Sequence, residues 1–299
     1  MSFCNKLNEK TWKEIIETVA LEIKKNRIMV EKDIVQSMFL YELSKSNLPF
    51  AFKGGTSLSK VYSLIDRFSE DIDLSLSRKV SQSEKKNIKE CILNVGKNLN
   101  LKLINEDNIK SRFDYNKYVF EYKSLFDAKS VEIIIETNFF EIAYPINKVK
   151  INNYIGSFIK DNKIDINFDF EANSFEFNVQ SLERTFIDKV FAICDYRLQN
   201  MAQRDSRHLY DIAKMVPYIK FDDEFKELIK KVRSDRMKSK NNPSADEKYN
   251  ITQMLNEIID SKFFETDYKN LTLKLLYEEY PYENVINDGI KIVAEYKIF

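Results

Sequence analysis

Glycine, proline, histidine and cysteine are all scarce in this chain of 299 residues. With only five glycines and five prolines, long disordered or low-complexity stretches are not expected. The single histidine, His208, excludes His-rich metal sites and the HExxH metalloproteases. The three cysteines lie far apart and form no CxxC pair, which argues against a structural zinc. We interpret them as reduced, mostly buried thiols, which indicates a cytoplasmic protein.

Long apolar runs and an excess of one charge are also missing. No run approaches the roughly 20 residues needed to cross a bilayer, and the first twelve residues, MSFCNKLNEKTW, lack the apolar core of a signal peptide. We therefore expect no membrane contact. The 47 basic residues are balanced by 47 acidic ones, so nucleic-acid binding would require a local basic patch.

The spacing of hydrophobic residues predicts two domains. Residues 1–180 combine two N-terminal bracing helices, within 9–46, with the helices and strands of an α/β or α+β core. Residues 181–299 have an almost wholly helical pattern. Further strands are predicted at 118–122, 131–138 and 175–179.

The segment 52–76 carries the most informative pattern, a pair of glycines followed by an Asp-x-Asp pair. A strand over 69–77 would turn Asp71 and Asp73 to one face, while the alternating Ile and Leu residues point into a core. Two aspartates held side by side repel each other unless a hard divalent cation lies between them. The pair therefore predicts a Mg²⁺ site.

The two glycines, Gly54 and Gly55, follow a short predicted strand at 50–53 and precede a helix with Thr56 or Ser57 as its N-cap. The apolar pattern of this helix continues to Ile65. Because glycine has no side chain, backbone N–H groups at this turn can approach an anion closely. Phosphate together with Mg²⁺ is thus the chemistry that the segment indicates.

A strand, two glycines, a helix and an Asp-x-Asp strand form the layout of the polymerase-beta-like nucleotidyltransferases. Within that superfamily, KGGTSLSK at 53–60 and RFSEDIDL at 67–74 resemble the AbiEii-type nucleotidyltransferases, the toxins of abortive-infection toxin–antitoxin pairs. The likeness extends over 30–295. Its weaker segments occur in the expected order at 30–40, 181–198, 204–212 and 276–286.

The resemblance implies a fold, a cofactor and a reaction. The expected fold is α+β (α/β-like), a nucleotidyltransferase core with a mixed sheet flanked by helices, plus a helical C-terminal lobe. Asp71 and Asp73 would hold two Mg²⁺ ions against an NTP in the cleft between the lobes. A nucleoside monophosphate would pass to RNA, at the 3′ end of tRNA, and a cognate antitoxin would be encoded nearby. The alternatives are transfer to a protein or small molecule, as in AMPylation, and a non-catalytic partner-binding module.

A third carboxylate is expected from the strand 131–138, as in the superfamily. Glu132 and Glu136 both project from the face opposite Val131, Ile133 and Ile135. We favour Glu136, which precedes a polar Thr-Asn pair, as a catalytic and metal-binding residue. The alternative is that both glutamates lie on a solvated sheet face.

The resemblance also assigns residues in the helical half. Lys189, at the rim of an apolar helix face, matches the family lysine that reaches the nucleotide phosphates, and Asp211 matches the acid retained in the active cleft. Asp211 would orient Lys189 or handle the acceptor proton, although spacing alone is more typical of a surface ion-pair ladder. His208 is interpreted as a packing residue rather than a general base. Nucleotide contacts are expected from Gly54, Gly55, Thr56, Ser57, Lys60, Arg204 and Arg207.

The densest basic run, KKVRSDRMKSK at 230–240, is the expected place for contact with an RNA backbone. The alternative is an ordinary solvated helix end. Since the chain has no RNP-type aromatic signature, we expect recognition of RNA shape rather than of base sequence. The proposed contacts are Lys230, Lys231, Arg233, Arg236 and Lys238.

Overall fold

The computed structural model describes residues 9–67, 69, 71–110, 113–127, 129–163, 171–203 and 205–299. These residues form two compact units. Unit 1 contains 9–61 and 71–179, and unit 2 contains 62–69 and 180–299. The predicted domains, 1–180 and 181–299, therefore differ from these units in the short segment 62–69 and at Gln180, which belong to unit 2.

Unit 1 combines a mixed sheet with helices. The helices are α1 (Glu9–Glu22), α2 (Arg27–Ser44), α3 (Gly54–Lys60), α4 (Gln82–Asn98) and α5 (Tyr154–Asp161). The strands are β1 (Phe50–Lys53), β2 (Asp71–Leu76), β3 (Lys102–Leu103), β4 (Tyr115–Lys123), β5 (Ser130–Ile142), β6 (Ile146–Asn152) and β7 (Ser174–Gln180).

The sheet has seven strands in the order β3-β4-β5-β2-β1-β7-β6. Strand β2 pairs antiparallel with β1 and parallel with β5, while β4 pairs antiparallel with β5. This arrangement places β2 at the centre of the sheet. The expectation of a mixed sheet flanked by helices is confirmed.

Alternating burial explains why β2 folds as it does. Ile72 and Leu74 are fully buried, whereas Asp71 and Asp73, which alternate with them along the strand, are half-exposed. A strand turns alternate residues to opposite faces, so the two aspartates lie on one face, as the sequence predicts.

Two local predictions are wrong. Helix α3 begins directly at Gly54 with Lys53 as its N-cap, so neither Thr56 nor Ser57 caps it. The helix also ends at Lys60, although the apolar pattern predicts that it continues to Ile65. Strand β6 and helix α5 are not predicted from the sequence, because both segments are short and show no sustained hydrophobic periodicity.

Unit 2 is helical, as predicted. Its helices are α6 (Leu182–Leu198), α7 (Arg207–Met215), α8 (Asp223–Arg236), α9 (Ile251–Asp260), α10 (Glu265–Asp267), α11 (Leu273–Leu275), α12 (Tyr282–Val285) and α13 (Lys291–Tyr296). Ser181 caps α6, its side chain accepting a hydrogen bond from the Arg184 N–H. Helix α6 is buried on most of its sides, with Phe186 and Phe191 both inaccessible to solvent.

Within the described residues, no helix combines the length and the hydrophobicity that a bilayer span requires. Cys91 and Cys194 are free thiols, in agreement with the prediction of reduced cysteines. Cys4 lies outside the described residues.

Candidate functional site

The carboxylates predicted to bind metal lie on two neighbouring strands of unit 1. Asp73 on β2 is the register partner of Glu136 on β5. Since directly paired residues point to the same face of a sheet, the Glu136 side chain lies beside the Asp pair. Glu132 is instead paired with Glu121 of β4 and is exposed. This register favours Glu136 over Glu132 as the third carboxylate.

Gly54 lies against the Asp73 carboxylate. Its φ angle of +78° belongs to the left-handed region that glycine adopts readily. A Cβ atom at this position would lie 1.9 Å from Oδ2 of Asp73 and 2.7 Å from its Cγ. Because Gly54 has no side chain, the Asp73 carboxylate can occupy this space. The glycine turn and the Asp pair are therefore in direct contact.

Replacing Gly54 by alanine should displace the Asp73 carboxylate and strain the turn. We expect a loss of stability of about 1–3 kcal/mol and a loss of nucleotidyl transfer that exceeds what unfolding explains. Urea denaturation and labelling with an NTP would measure the two effects. In an Asp73→Ala background the carboxylate is absent, so Gly54→Ala should reduce stability less than in the parent chain. An equally large loss of stability in that background would contradict a steric clash with Asp73.

The hydroxyl groups of α3 are engaged within unit 1. Thr56 is buried and its Oγ1 donates to the backbone carbonyl of Asp71, which ties the helix to β2. Ser57 is fully buried, and its Oγ donates to the Gly54 carbonyl at 2.8 Å. What the turn offers to a phosphate is its backbone N–H groups, since the space beside Gly54 is occupied by the Asp73 carboxylate.

Lys60 holds helices together. Its buried ammonium forms an ion pair with Asp33 of α2 and donates to Ser37 Oγ at 2.9 Å. Burial lowers the pKa of Lys60, and the Asp33 carboxylate opposes that shift. These contacts favour a structural role over the predicted contact with nucleotide.

Strand β4 brings two residues to the carboxylates that sequence patterns do not reveal. Burial, followed by the charge of Glu136 and a hydrogen bond to it, raises the pKa of Tyr115 to about 12, with smaller contributions from Asp73 and Asp71. Lys117 is the register partner of Glu136 and pairs with its carboxylate at 3.2 Å. Only the pairing of β4 with β5 places these residues, so no local signal could have found them.

Among the described residues, no three His, Cys, Asp or Glu side chains converge into a preformed metal site. The donor set nevertheless fits Mg²⁺, because Asp71, Asp73 and Glu136 supply the hard oxygen ligands that this ion prefers. Mg²⁺ is commonly held by one or two carboxylates together with substrate phosphates. A site that is completed only when the triphosphate binds is therefore consistent with this arrangement.

The helical residues that the resemblance singles out form a second cluster, within unit 2. Asp211 is fully buried and accepts two hydrogen bonds from Arg67, at 2.7 Å from Nε and 2.8 Å from Nη2. The Lys189 ammonium lies 2.6 Å from the same carboxylate. Asp211 thus forms ion pairs with both Lys189 and Arg67, and Arg67 is the partner that sequence reasoning did not assign.

Two cations, Arg67 and Lys189, share the buried Asp211 carboxylate. Burial alone would raise the pKa of Asp211, but Arg67 and Lys189 outweigh it and hold that pKa well below its usual value. Burial lowers the pKa of Lys189, while Asp211 counteracts the shift. Lys189 is thus enclosed in the helix packing rather than at the rim of an apolar face, since α6 is covered on most sides.

His208 completes the cluster. Its Nδ1 lies 3.2 Å from the Lys189 ammonium, and its ring stacks on Tyr196 with a centroid distance of 6.0 Å. Burial, followed by the charge of Lys189, lowers the pKa of His208 to about 4, so the ring is neutral near pH 7. Arg207 is partly exposed and pairs with Asp205 at 3.1 Å. Arg204, the other predicted phosphate contact, lies outside the described residues.

The depressed pKa of His208 predicts a dependence of stability on pH. In the unfolded chain the imidazole has a pKa near 6.5, and in the folded chain near 4. The unfolded state therefore binds more protons between these values, and stability falls as the pH drops through that window, by at most about 3 kcal/mol. Urea denaturation of unit 2 at several pH values should show this slope. The His208→Gln variant should lose it, and an equal slope in both proteins would contradict the prediction.

The predicted basic surface on α8 is not continuous. Arg236 is buried and pairs with Asp195 at 2.7 Å, and Arg233 packs over the Phe191 ring at 5.6 Å. These two arginines are directed into unit 2, which contradicts their predicted contact with RNA. The exposed lysines that remain are Lys230, Lys231 and Lys238, of which Lys230 pairs with Glu227 and Lys238 with Asp235.

Comparison with known proteins agrees with this geometry. Residues 38–287 match the sequence profile of a family described as Nucleotidyl transferase AbiEii toxin, Type IV TA system. No curated protein matches the chain in sequence. The chain is similar in structure to MenT4, a nucleotidyltransferase toxin from Mycobacterium tuberculosis, with a TM-score of 0.52 and 13% identity over 95% of this chain and 88% of that one.

A second structure, JHP933 from Helicobacter pylori, matches with a TM-score of 0.46 and 14% identity over 89% of this chain and 88% of that one. At these identities the similarity to MenT4 establishes the fold alone. The match to the family profile, by contrast, spans most of the chain and includes the glycine turn, the Asp pair, Lys189 and Asp211.

Proposed function

Since the chain belongs to the AbiEii family of nucleotidyltransferase toxins, we propose that it transfers a nucleoside monophosphate from an NTP to an RNA hydroxyl, at the 3′ end of tRNA. The acceptor oxygen forms a bond to the α-phosphorus, the bond from that phosphorus to the pyrophosphate oxygen breaks, and the acceptor hydroxyl loses its proton. The toxin would act in the cytoplasm and be neutralised by the antitoxin of its type IV pair.

The pairing of β2 with β5 carries this proposal, because it places three carboxylates on one face of the sheet beside the glycine turn. Asp71, Asp73 and Glu136 would hold Mg²⁺, which when bound would neutralise phosphate charge and activate the acceptor hydroxyl. The backbone N–H groups of Gly54 and Gly55 would receive the triphosphate.

In unit 2, the Lys189 ammonium would bind phosphate oxygens. A compact ammonium suits that task, and Asp211 keeps it in a fixed position. That the cluster of unit 2 and the carboxylates of unit 1 share one nucleotide stays a prediction.

A labelling experiment tests the proposed function. The purified protein is incubated with Mg²⁺, each of the four α-labelled NTPs, total RNA and lysate protein, and the fractions are separated. We expect label in tRNA, at the 3′ end, and none when EDTA replaces Mg²⁺. Label in protein alone would indicate an AMPylation-like activity, and label in neither fraction would favour a non-catalytic module. Either result would overturn the proposal.

A further inference from the structure

Three large aromatic side chains are exposed at one end of the β4–β5 pair. Phe113 is 60% exposed, Tyr115 48% and Phe140 70%. The Phe139 N–H donates to the Asp114 carbonyl at 2.7 Å, so the pairing of β4 with β5 continues beyond Tyr115. The three aromatic residues therefore lie at the same end of this strand pair. Exposed rings clustered in this way mark a binding surface more often than isolated ones do. We call Phe113, Tyr115 and Phe140 the aromatic platform.

An irregularity in β5 includes the position of Phe140. The register with β2 runs from Leu74 opposite Thr137 to Leu76 opposite Ile142, so β5 has extra residues between Thr137 and Ile142. Irregularities of this kind are common next to active sites. Phe140 lies within this stretch, four residues after Glu136.

The platform adjoins the proposed catalytic carboxylates through Tyr115, which lies opposite Asn138, two residues beyond Glu136 on β5. The order of strands separates it from the glycine turn, since β1 lies on one side of β2 and β5 with β4 on the other. If the triphosphate occupies the glycine turn, the β4–β5 side of the carboxylates remains for the acceptor. This reasoning rests on the proposed function.

Basic side chains lie on the segments next to the strand ends that carry the platform. Lys117 lies two residues from Tyr115 and is 43% exposed, and Lys85 of α4 pairs with Asp114. Lys89 of α4 reaches the Ile109 carbonyl at 3.3 Å, and Lys110 is exposed. Aromatic rings among lysines are the arrangement by which proteins bind single-stranded nucleic acid, with bases stacked on the rings and phosphates near the cations.

We propose that the aromatic platform stacks the unpaired terminal bases of the RNA acceptor and so delivers its 3′ hydroxyl to the carboxylates. Stacking accepts any base, because every base has a flat π-face. The acceptor class is therefore RNA with a single-stranded 3′ end, chosen by the unpaired end rather than by its sequence.

Binding of two RNA hairpins to the full-length protein tests this inference. One hairpin carries a four-nucleotide 3′ tail and the other is blunt, and fluorescence anisotropy is measured without Mg²⁺ to prevent turnover. We expect tighter binding of the tailed hairpin, and a roughly tenfold loss for each of Phe113→Ala and Phe140→Ala. Phe140→Trp should retain the affinity. Tyr218→Ala, at a ring that is 61% exposed in unit 2, is the matched control and should change nothing.

Several outcomes would overturn the platform while leaving the proposed function intact. Equal affinity of the parent protein for the tailed and the blunt hairpin would overturn it. Unchanged affinity of both alanine variants for the tailed hairpin would overturn it as well. A raised KM for NTP with unaltered RNA affinity would assign the rings to the donor base. An equal loss of affinity in Phe140→Trp and Phe140→Ala would also contradict stacking, because tryptophan keeps a ring on which a base can stack. Absence of RNA labelling by the unmodified protein would instead contradict the proposed function.

Discussion

Asp73→Asn should reduce nucleotidyl transfer by about a thousandfold or more, equivalent to about 4 kcal/mol of transition-state stabilisation. The substitution keeps the shape of the side chain and removes the charge that would bind Mg²⁺. Asp71→Asn should have a comparable effect. The transfer of label from an α-labelled NTP to RNA, under single-turnover conditions, is the measurement.

The fold should survive this change. Asp71 and Asp73 lie on the same face of β2, and like charges at this spacing repel, so the metal-free variants should be at least as stable as the parent chain. Thermal unfolding with and without Mg²⁺ and NTP gives an independent readout. The parent should be stabilised by the ligands through mass action, whereas the variants should show little or no shift.

A matched control lies on the neighbouring strand. Glu136→Gln should impair transfer, while Glu132→Gln, four residues earlier on the same strand, should leave it unchanged because Glu132 is exposed and paired with β4. Full labelling activity in Asp71→Asn or Asp73→Asn would refute the assignment of these carboxylates to the metal.

The second large effect is expected on stability. Asp211→Asn leaves Arg67 and Lys189 buried without their counter-ion, and the removal of one partner from a buried ion pair costs about 3–5 kcal/mol. Arg67→Met should destabilise unit 2 by a similar amount, because it removes a guanidinium that makes two hydrogen bonds to Asp211. Urea denaturation of the full chain measures both.

A double-mutant cycle separates this pair from its surroundings. The combined Arg67→Met and Asp211→Asn variant should be more stable than the sum of the single effects predicts, by about 1 kcal/mol or more. Asp223→Asn breaks an exposed pair with Lys226 and should leave stability unaltered. Strict additivity of the two buried substitutions would show that the residues do not act as a pair.

Local patterns in the sequence predict the elements of the proposed site, but not the neighbours of those elements. The alternation of Asp71 and Asp73 with apolar residues is a property of a single strand, and the glycine turn lies within one short segment. The position of Glu136 beside Asp73 depends on a parallel pairing between distant strands. Tyr115 and Lys117 depend on a further pairing, so the sequence contains no nearby signal for them.

The errors have the same physical origin. Helical spacing predicts that α3 extends to Ile65, but 61–65 leave the helix because the chain there joins unit 2. The basic run on α8 has a sequence typical of a solvent-exposed helix. One of its arginines, Arg236, is nevertheless buried, where it forms an ion pair with Asp195. Charge and periodicity along the chain do not disclose which partners the tertiary fold brings to a residue.

The segment 62–69 has a consequence for biosynthesis. Arg67 emerges from the ribosome 144 residues before Asp211, the acid that neutralises it. Until then its guanidinium cannot make the two hydrogen bonds that it donates to this carboxylate in the folded unit. A nascent toxin therefore cannot complete its second unit by folding the C-terminal portion alone, and translation that stops before residue 211 should yield a product without the anchored lysine.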